Sequence, residues 1–168
     1  MSDPAIDVRP ARPDELRALL EGPEVFEARF GCRVEPGWSS FDGVVEHSLD
    51  AVTAGGIDPA WSTHLFHAGA DEGGALIGIG GFKGPPQDGT VEIGYEIAPA
   101  YRGQGRARAA ATEMIATARA AGCRTVIAHT LAEDNPSTSV LTRLGFTCVE
   151  TVEDPDEGPI WRWELPLA

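Results

Sequence analysis

One stretch of the sequence constrains the fold more than any other, because its hydrophobic pattern changes from that of a strand to that of a helix. In "TVEIGYEI", every second residue from Val91 to Ile97 is apolar or aromatic, and the residues between are polar or glycine. This alternation predicts a strand with two unlike faces. After the turn "RGQG", small apolar residues recur with the period of a helix, at positions 107, 110, 111, 114, 115 and 118. A strand, a glycine-rich turn and a long helix in this order predict an α/β unit.

The remaining segments extend this unit along the chain. Further strands are predicted at "IDVRPA", "STHLFHAG", "GALIGIGGFKG", "RTVIAHTLA", "FTCVETV" and "PIWRWELPL", and further helices at "PDELRALLEG", "FDGVVEHSLDAV" and "DNPSTSVLTRLG". The predicted order is βααβββαβαββ, of the α/β (α+β) class, with a mixed central sheet of about six to seven strands and helices on both faces. A length of 168 residues suits one domain, so we expect a single domain over residues 1–168.

The overall charge, the cysteines and the histidines argue against several classes of function. A net charge of −13 disfavours nucleic acid and anionic membranes as partners, since both would be repelled. Cys32, Cys123 and Cys148 are odd in number and form no CxxC pair, which argues against a disulfide framework and a structural zinc site. His64 and His67 lie three apart in a predicted strand and so face opposite sides, and we expect no metal. There is no signal-peptide pattern and no run approaches 18 apolar residues, so we expect a cytoplasmic protein without a membrane span.

A positive cluster surrounds the glycine-rich turn of this acidic chain. Between Pro99 and Ala132 there are five arginines and one acidic residue, a local charge of +4. Gly103 and Gly105 lie where the strand ends and the helix begins, and the free N–H groups at a helix N-terminus bind anions. Glycine lets a ligand approach the backbone, and arginines add charge-assisted hydrogen bonds. The turn is therefore predicted to hold phosphate, with a plain glycine loop as the structural alternative.

Two common phosphate-binding motifs do not fit this turn. The chain has no GxxxxGK[ST] pattern, which excludes a P-loop. Arg108 stands where the third glycine of GxGxxG would be, and the turn is not the first strand–helix connection of the chain. Both features disfavour a dinucleotide-dependent oxidoreductase.

The turn resembles a motif of a known superfamily. "RGQGRA", Arg102 to Ala107, matches the (Q/R)xxGx(G/A) motif of the GNAT acetyltransferases, whose amides bind the pyrophosphate of acetyl-CoA. "VEIGYEI" resembles strand 4 of that superfamily, and "NPSTSVLTRLGF" resembles its second cofactor motif. The order of elements extends the resemblance to nearly the whole chain. The motifs are most similar to the Rim-type branch of ribosomal-protein and amino-acid N-acetyltransferases.

The resemblance implies a GNAT fold and a binding site for acetyl-CoA. The implied cofactor-binding residues lie at the end of one strand, in the glycine-rich turn and at the start of the second motif: Ile97, Arg102, Gly103, Gln104, Gly105, Arg106, Ala107, Asn135 and Ser137. The backbone N–H of Ile97 would stabilise the carbonyl oxygen as it gains charge. Asn135 could be an N-cap, a ligand to the pantetheine amides, or both.

The resemblance also implies catalytic residues. Glu92, on the polar face of the strand, is the first candidate for the general base, and Glu96 is the alternate; either could instead be a solvated carboxylate. Ser137 could hydrogen-bond the leaving thiolate, or it could only help to cap its helix. Leu141 stands where many members have a tyrosine acid. His129 could relay a proton or be a core residue.

The expected function is that of an acetyl-CoA-dependent N-acetyltransferase, which moves an acetyl group directly to a primary amine in a ternary complex. A non-catalytic acyl-CoA sensor with the same fold is the alternative, which the missing tyrosine permits. The acceptor (a small molecule, an amino acid or a peptide or protein N-terminus) and homo-oligomerisation stay open. An acidic loop could steer a cationic amine or simply be solvated: Glu150, Glu153, Asp154, Asp156 and Glu157. Phe26, Phe30 and Trp38 could line the acceptor cleft or belong to the core.

Overall fold

The computed structural model describes residues 5–40 and 43–167, which form a seven-stranded sheet with helices on both faces. The strands are β1 (Ile6–Pro10), β2 (Thr63–Ala68), β3 (Leu76–Phe82), β4 (Thr90–Ile97), β5 (Thr125–Leu131), β6 (Thr147–Asp154) and β7 (Gly158–Pro166). The α-helices are α1 (Pro13–Glu21), α2 (Pro23–Phe30), α3 (Val44–Thr53), α4 (Arg106–Ala120) and α5 (Pro136–Arg143).

The strand order in the sheet is β1-β2-β3-β4-β5-β7-β6. Strands β4 and β5 run parallel, and every other neighbouring pair is antiparallel. Parallel neighbours need a crossover connection, and α4 provides it, as the strand–turn–helix pattern predicts. The predicted α/β class with a mixed sheet is therefore confirmed.

Helix α2 is an addition to the predicted element order. Gly22 signalled the end of α1 in the sequence, and in the structure it also precedes the first residue of α2. Pro23 suits the first position of a helix, and Gly31 ends α2 with a left-handed φ of 64°. These two residues are the local signal for α2. The helix predicted to begin at Phe41 is described from Val44 onward, because residues 41–42 lie outside the described ranges.

Two apolar clusters, one on each face of the sheet, hold the helices in place. The cluster under α4 and α5 includes Val91, Ile93, Ile97, Met114 and Leu141. The cluster under α1, α2 and α3 includes Leu16, Leu19, Phe26, Leu65 and Leu76, and Phe30 and Trp38 pack against it. Phe26 thus belongs to the core, Phe30 and Trp38 pack against it half-buried, and none of the three lines the cavity described below. Since the odd-numbered side chains of β4 enter the first cluster, its even-numbered side chains face α1–α3.

The cysteines and histidines of the chain lie in the following surroundings. The three cysteines are free thiols. His64 Nδ1 lies 3.0 Å from Ser62 O and His67 Nδ1 lies 3.2 Å from Gly74 O, so both rings contact backbone carbonyls. Within residues 5–40 and 43–167, no group of three histidine, cysteine or acidic side chains is arranged to hold a metal. In the same ranges, no helix has the length and hydropathy to cross a bilayer.

Candidate active site

The candidate site lies where β4 and β5 separate. The two strands pair over three positions only, from Thr90↔Thr125 to Glu92↔Ile127. Strand β4 continues to Ile97 and stays paired with β3 up to that residue. The second half of β4 therefore borders an opening in the middle of the sheet.

The backbone of β4 offers hydrogen-bond donors to this opening. In the ladder with β3, Ala98 N donates to Ile77 O at 2.7 Å. Ladder bonds alternate along an antiparallel strand, so the N–H groups of Tyr95 and Ile97 point away from β3 and towards the opening. Ile97 thus has its backbone at the opening and its side chain in the core.

A cavity of about 570 Å³ adjoins the opening and is lined from both faces of the sheet. On the face that carries α5, the lining includes Tyr95, Asn135 and Ser137. On the face of α1–α3, it includes Lys83 and His129. This volume lies within the range of small-molecule sites. The cavity therefore connects the region of the second cofactor motif with the polar face of β4.

The glycine-rich turn brings the N-terminus of α4 to the end of β4. Gly103 has a φ of 73° and Gly105 has a φ of 81°, a left-handed conformation that glycine adopts without strain. The first helical backbone bond runs from Ala109 N to Gly105 O at 3.0 Å, so the N–H groups of Arg106 and Ala107 precede it. The first turn contains no acidic residue and no side chain caps it. These features suit an anion.

The polar side chains of this turn are held in different ways. The Arg106 guanidinium is 4% exposed and donates to Glu72 Oε1 at 2.6 Å and Gln104 Oε1 at 3.1 Å. The hydrogen bond from Arg106 to Glu72 lowers the pKa of the Glu72 carboxyl group. The side chain of Arg102 is exposed, and its Nε donates to Ile97 O at 2.7 Å. Because the Arg106 side chain is committed to these contacts, its backbone N–H is the group that remains for the predicted phosphate contact.

The N-terminus of α5 is capped by residues other than Ser137. Asn135 Oδ1 accepts from Thr138 N at 3.0 Å, and Thr138 Oγ1 accepts from Asn135 N at 3.0 Å. Asn135 is therefore an N-cap that also lines the cavity, while Ser137 lines the cavity without taking part in the capping box. Leu141, one turn further, is fully buried in the core.

Glu92 lies on the polar face of β4 and contacts two side chains. Its Oε2 lies 2.6 Å from Lys83 Nζ and 3.1 Å from His129 Nδ1. Of these three residues, Lys83 and His129 line the cavity and Glu92 does not. The sequence placed His129 beside the site, but the contact with Glu92 requires the pairing of β4 with β5 and could not be derived from spacing along the chain.

Glu96, the alternate candidate for the base, binds a backbone N–H group and not the Lys83 and His129 side chains. Both of its carboxylate oxygens lie 3.0 Å from Ser40 N, which donates to them. Glu96 is not among the residues that line the cavity. Its geometry is that of an anchor for the chain segment before α3.

Two residues of the predicted acidic cluster line the cavity: Asp154, the last residue of β6, and Glu157, in the turn that leads to β7. Glu150 and Glu153 lie in β6 and not in a loop. Asp154 Oδ1 accepts from the backbone N–H groups of Asp156 and Glu157, both at 2.9 Å. The bonds from Glu157 and Asp156 lower the pKa of Asp154, so it stays ionised at neutral pH. The cavity therefore has a negatively charged end formed by part of the predicted acidic cluster.

The sequence matches the family described as "Acetyltransferase (GNAT) domain" over residues 6–147. No curated protein matches the chain significantly. The matched range contains the opening, the glycine-rich turn and α5.

Solved structures with the same arrangement of elements cover nearly the whole chain. YncA of Salmonella typhimurium, whose structure contains its cofactor acetyl-CoA, has a TM-score of 0.63 and 20% identity over 98% of this chain and 95% of its own. A dodecameric spermidine N-acetyltransferase from Vibrio cholerae has a TM-score of 0.67 and 16% identity over 96% and 94% of the two chains. RimJ of Mycobacterium smegmatis, in complex with CoA-disulfide, has a TM-score of 0.62 and 18% identity over 96% and 81%. At these identities the likeness shows the fold.

Proposed function

The chain belongs to the acetyltransferase (GNAT) domain family, and on this premise we propose that it transfers the acetyl group of acetyl-CoA directly to a primary amine within a ternary complex. The observation that carries the proposal is the opening between β4 and β5: the cavity lies beside it, and the N-terminus of α4 follows the end of β4. Such an arrangement can hold two substrates side by side, and positioning supplies a large share of the rate of a bimolecular transfer.

The glycine-rich turn, residues 102–107, is the proposed site for the pyrophosphate of acetyl-CoA. The amides of Arg106 and Ala107 and the positive end of the α4 dipole attract the phosphates. Gly103 allows close approach, since a Cβ built on it would have no neighbouring atom within 4 Å. The exposed side chain of Arg102 adds positive charge beside the turn. The pantetheine arm would then extend along β4 towards the cavity.

His129 and Glu92 form the proposed proton acceptor. The ammonium group must lose a proton before its nitrogen can attack the thioester carbonyl carbon. The Glu92 carboxylate accepts from His129 Nδ1, which leaves the lone pair of the neutral imidazole on Nε2. Because His129 lines the cavity, it takes the proton from the bound amine, and Glu92 orients it and stabilises the imidazolium.

The remaining steps assign roles to β4 and α5. As the nitrogen attacks, the carbonyl oxygen gains negative charge and accepts a hydrogen bond from Ile97 N–H. The C–S bond then breaks, its electron pair goes to the sulfur of CoA, and the second proton of the amine nitrogen goes to water. Ser137, on the cavity side of α5, donates a hydrogen bond to this thiolate, and Asn135 binds the pantetheine arm beside it.

The acceptor is proposed to be a cationic amine. Asp154 and Glu157 place two negative charges in the cavity lining, and the one lysine there, Lys83, is paired with Glu92, so the lining attracts an ammonium group and disfavours an acidic acceptor. Polyamines belong to this class, and the Vibrio cholerae neighbour is named for one. Amino acids and peptide N-termini, the acceptors that the Rim-type resemblance predicts, belong to it as well.

A non-catalytic acyl-CoA sensor is the second candidate. Leu141, buried in the core, brings no hydroxyl to the cavity, so the acid that many relatives carry at this position is missing. A sensor would bind acetyl-CoA as tightly as an enzyme does, but it would not turn it over. Release of free thiol with a panel of amines therefore separates the two candidates.

The deciding experiment compares thermal stability with acetyl-CoA, CoA and NADH, followed by the thiol-release assay. A ligand at 100 times its dissociation constant stabilises by about 2.7 kcal/mol. For a domain of this size, that raises Tm by roughly 5–11 °C. We expect this rise with acetyl-CoA and CoA but not with NADH, and thiol release with cationic amines. Absence of any rise with both CoA species would refute the site.

A further inference from the structure

Tyr95 carries a hydroxyl group that neither packing nor the proposed reaction explains. Its ring lines the cavity, but its Oη is buried and no described group forms a hydrogen bond with it. Burying an unpaired hydroxyl is unfavourable, and a phenylalanine would fill the same space without that cost. Such a group at a cavity wall therefore indicates a partner that is engaged in another state of the protein.

Ser137 is the side chain whose hydroxyl acts on the Tyr95 hydroxyl. Burial, opposed in part by the Ser137 hydroxyl, raises the pKa of Tyr95 to about 12. Tyr95 Oη nevertheless forms no hydrogen bond in the structure, to Ser137 or to any other described group. Hydrogen bonds in active sites are often long without substrate and tighten when it binds. A small shift of the α5 N-terminus would complete this one.

The surroundings leave Ser137 available for such a bond. Asn135 and Thr138 satisfy the capping box of α5, so the Ser137 hydroxyl is not needed there. Leu141 offers no competing polar group one turn further along the helix. Tyr95 and Ser137 thus form a pair of hydroxyls at one wall of the cavity, one buried and one facing the space where substrate would bind.

We propose that Tyr95 is a positioning residue: its Oη donates a hydrogen bond to Ser137 Oγ and thereby directs the Ser137 proton to the sulfur of the leaving thiolate. The inference rests on the proposed acetyl transfer. The ammonium gives one proton to His129 before the attack; the N–C bond then forms, the C–S bond breaks with its electron pair going to sulfur, and the second proton of the nitrogen goes to water. Neither hydroxyl gives up its proton. Hydrogen bonds in a chain polarise one another, so Tyr95 strengthens the bond that Ser137 makes.

The test measures the pKa of the CoA thiol bound to the protein, from the ultraviolet absorbance of the thiolate. The complex with S-methyl-CoA, which has no titrating thiol, is the reference. We expect Tyr95→Phe to raise the pKa of bound thiol by about half to one pH unit and Ser137→Ala by about one, since hydrogen bonds to charged groups are strong. The double variant should not exceed Ser137→Ala, because Tyr95 acts through Ser137. Loss of kcat should follow the same order, with an unchanged KM for acetyl-CoA.

Two variants with matched chemistry serve as controls. Tyr101→Phe removes a hydroxyl that contacts Glu35 away from the cavity, and Ser139→Ala removes an exposed hydroxyl two residues along α5. Both should leave the thiol pKa unchanged. The Tm of Tyr95→Phe should equal or exceed that of the parent chain, because an unpaired hydroxyl is lost. A lower Tm would show that the hydroxyl has a structural partner and would overturn the inference.

The outcomes distinguish this inference from the proposed function. If the parent chain binds CoA and releases thiol but Tyr95→Phe leaves the thiol pKa unchanged, the pair is refuted and acetyl transfer stands. Additive effects in the double variant would also refute it. If the parent chain does not bind CoA, the proposed function fails and the inference fails with it.

Discussion

Replacement of Gly103 tests whether the glycine-rich turn holds phosphate. Gly103 has a φ of 73° and open space around its Cβ position, so a side chain fits there although the backbone conformation is strained. Asparagine and aspartate tolerate this conformation better than other side chains, and the two have the same shape. The variants Gly103→Asn and Gly103→Asp therefore differ by one negative charge at the proposed phosphate site.

The size of the effect follows from backbone strain and charge. Strain should cost each variant about 1 kcal/mol, which lowers Tm by roughly 2–4 °C. Two unit charges about 5 Å apart interact by about 1–3 kcal/mol for dielectric constants between that of water and about 20. Gly103→Asp should therefore bind CoA about 5- to 150-fold more weakly than Gly103→Asn.

Isothermal titration with CoA measures this difference. Gly103→Asn is the control for strain and volume, and both variants should show the same Tm without ligand. Raising the salt concentration to about 1 M should reduce the difference, because the Debye length falls to about 3 Å. Equal CoA affinities at low salt would refute the placement of phosphate at this turn.

The other predictions concern the base, the turn and the acceptor. His129→Gln should reduce kcat by about 10²- to 10⁴-fold, as expected for loss of a general base, and Glu92→Gln should reduce kcat less. Equal KM values for acetyl-CoA in the parent chain and both variants would confirm that cofactor binding is intact. An unchanged kcat in His129→Gln would exclude His129 as the base. Because Arg106 lowers the pKa of Glu72, this pair stabilises the fold at neutral pH and loses that contribution as the pH falls below about 4.5, through the lowered pKa. Urea unfolding at several pH values should therefore show a shallower loss of stability on acidification in Arg106→Met, and an identical slope would contradict this linkage. Asp154→Asn removes one negative charge from the cavity lining, so it should raise KM for a cationic amine; it keeps an acceptor oxygen for the loop amides but loses the charge that they stabilise, so Tm should fall slightly. Steady-state kinetics with a neutral-tailed amine as control would show whether charge is responsible for the change in KM.

The local elements could be predicted because their signals lie within a few residues of one another. The alternation of "TVEIGYEI" gives β4 its two faces, and Gly103 and Gly105 supply the left-handed conformations that turn the chain into α4. Asn135 and Pro136 set the start of α5 in the same way. Helix α2 was not predicted, since eight residues between two glycines carry too weak a periodic pattern.

Contacts between distant segments could not be predicted. Glu92 and His129 are 37 residues apart and meet because β4 and β5 pair at that point. The Arg106 guanidinium contacts Glu72, 34 residues earlier in the chain, and no local pattern indicates this pair. Periodicity assigns a face to a side chain but does not identify the partner across that face.

The sequence by itself thus determined the α/β class, the glycine-rich turn at the start of α4 and the capped start of α5, because hydrogen bonds and dihedral preferences act over short stretches of chain. The tertiary structure alone decided that β4 and β5 separate after Glu92, and therefore that His129, Tyr95 and Ser137 line one cavity. The register of strands and the packing of helices on a sheet depend on the apolar surface buried by the whole chain, which cannot be read from any single segment.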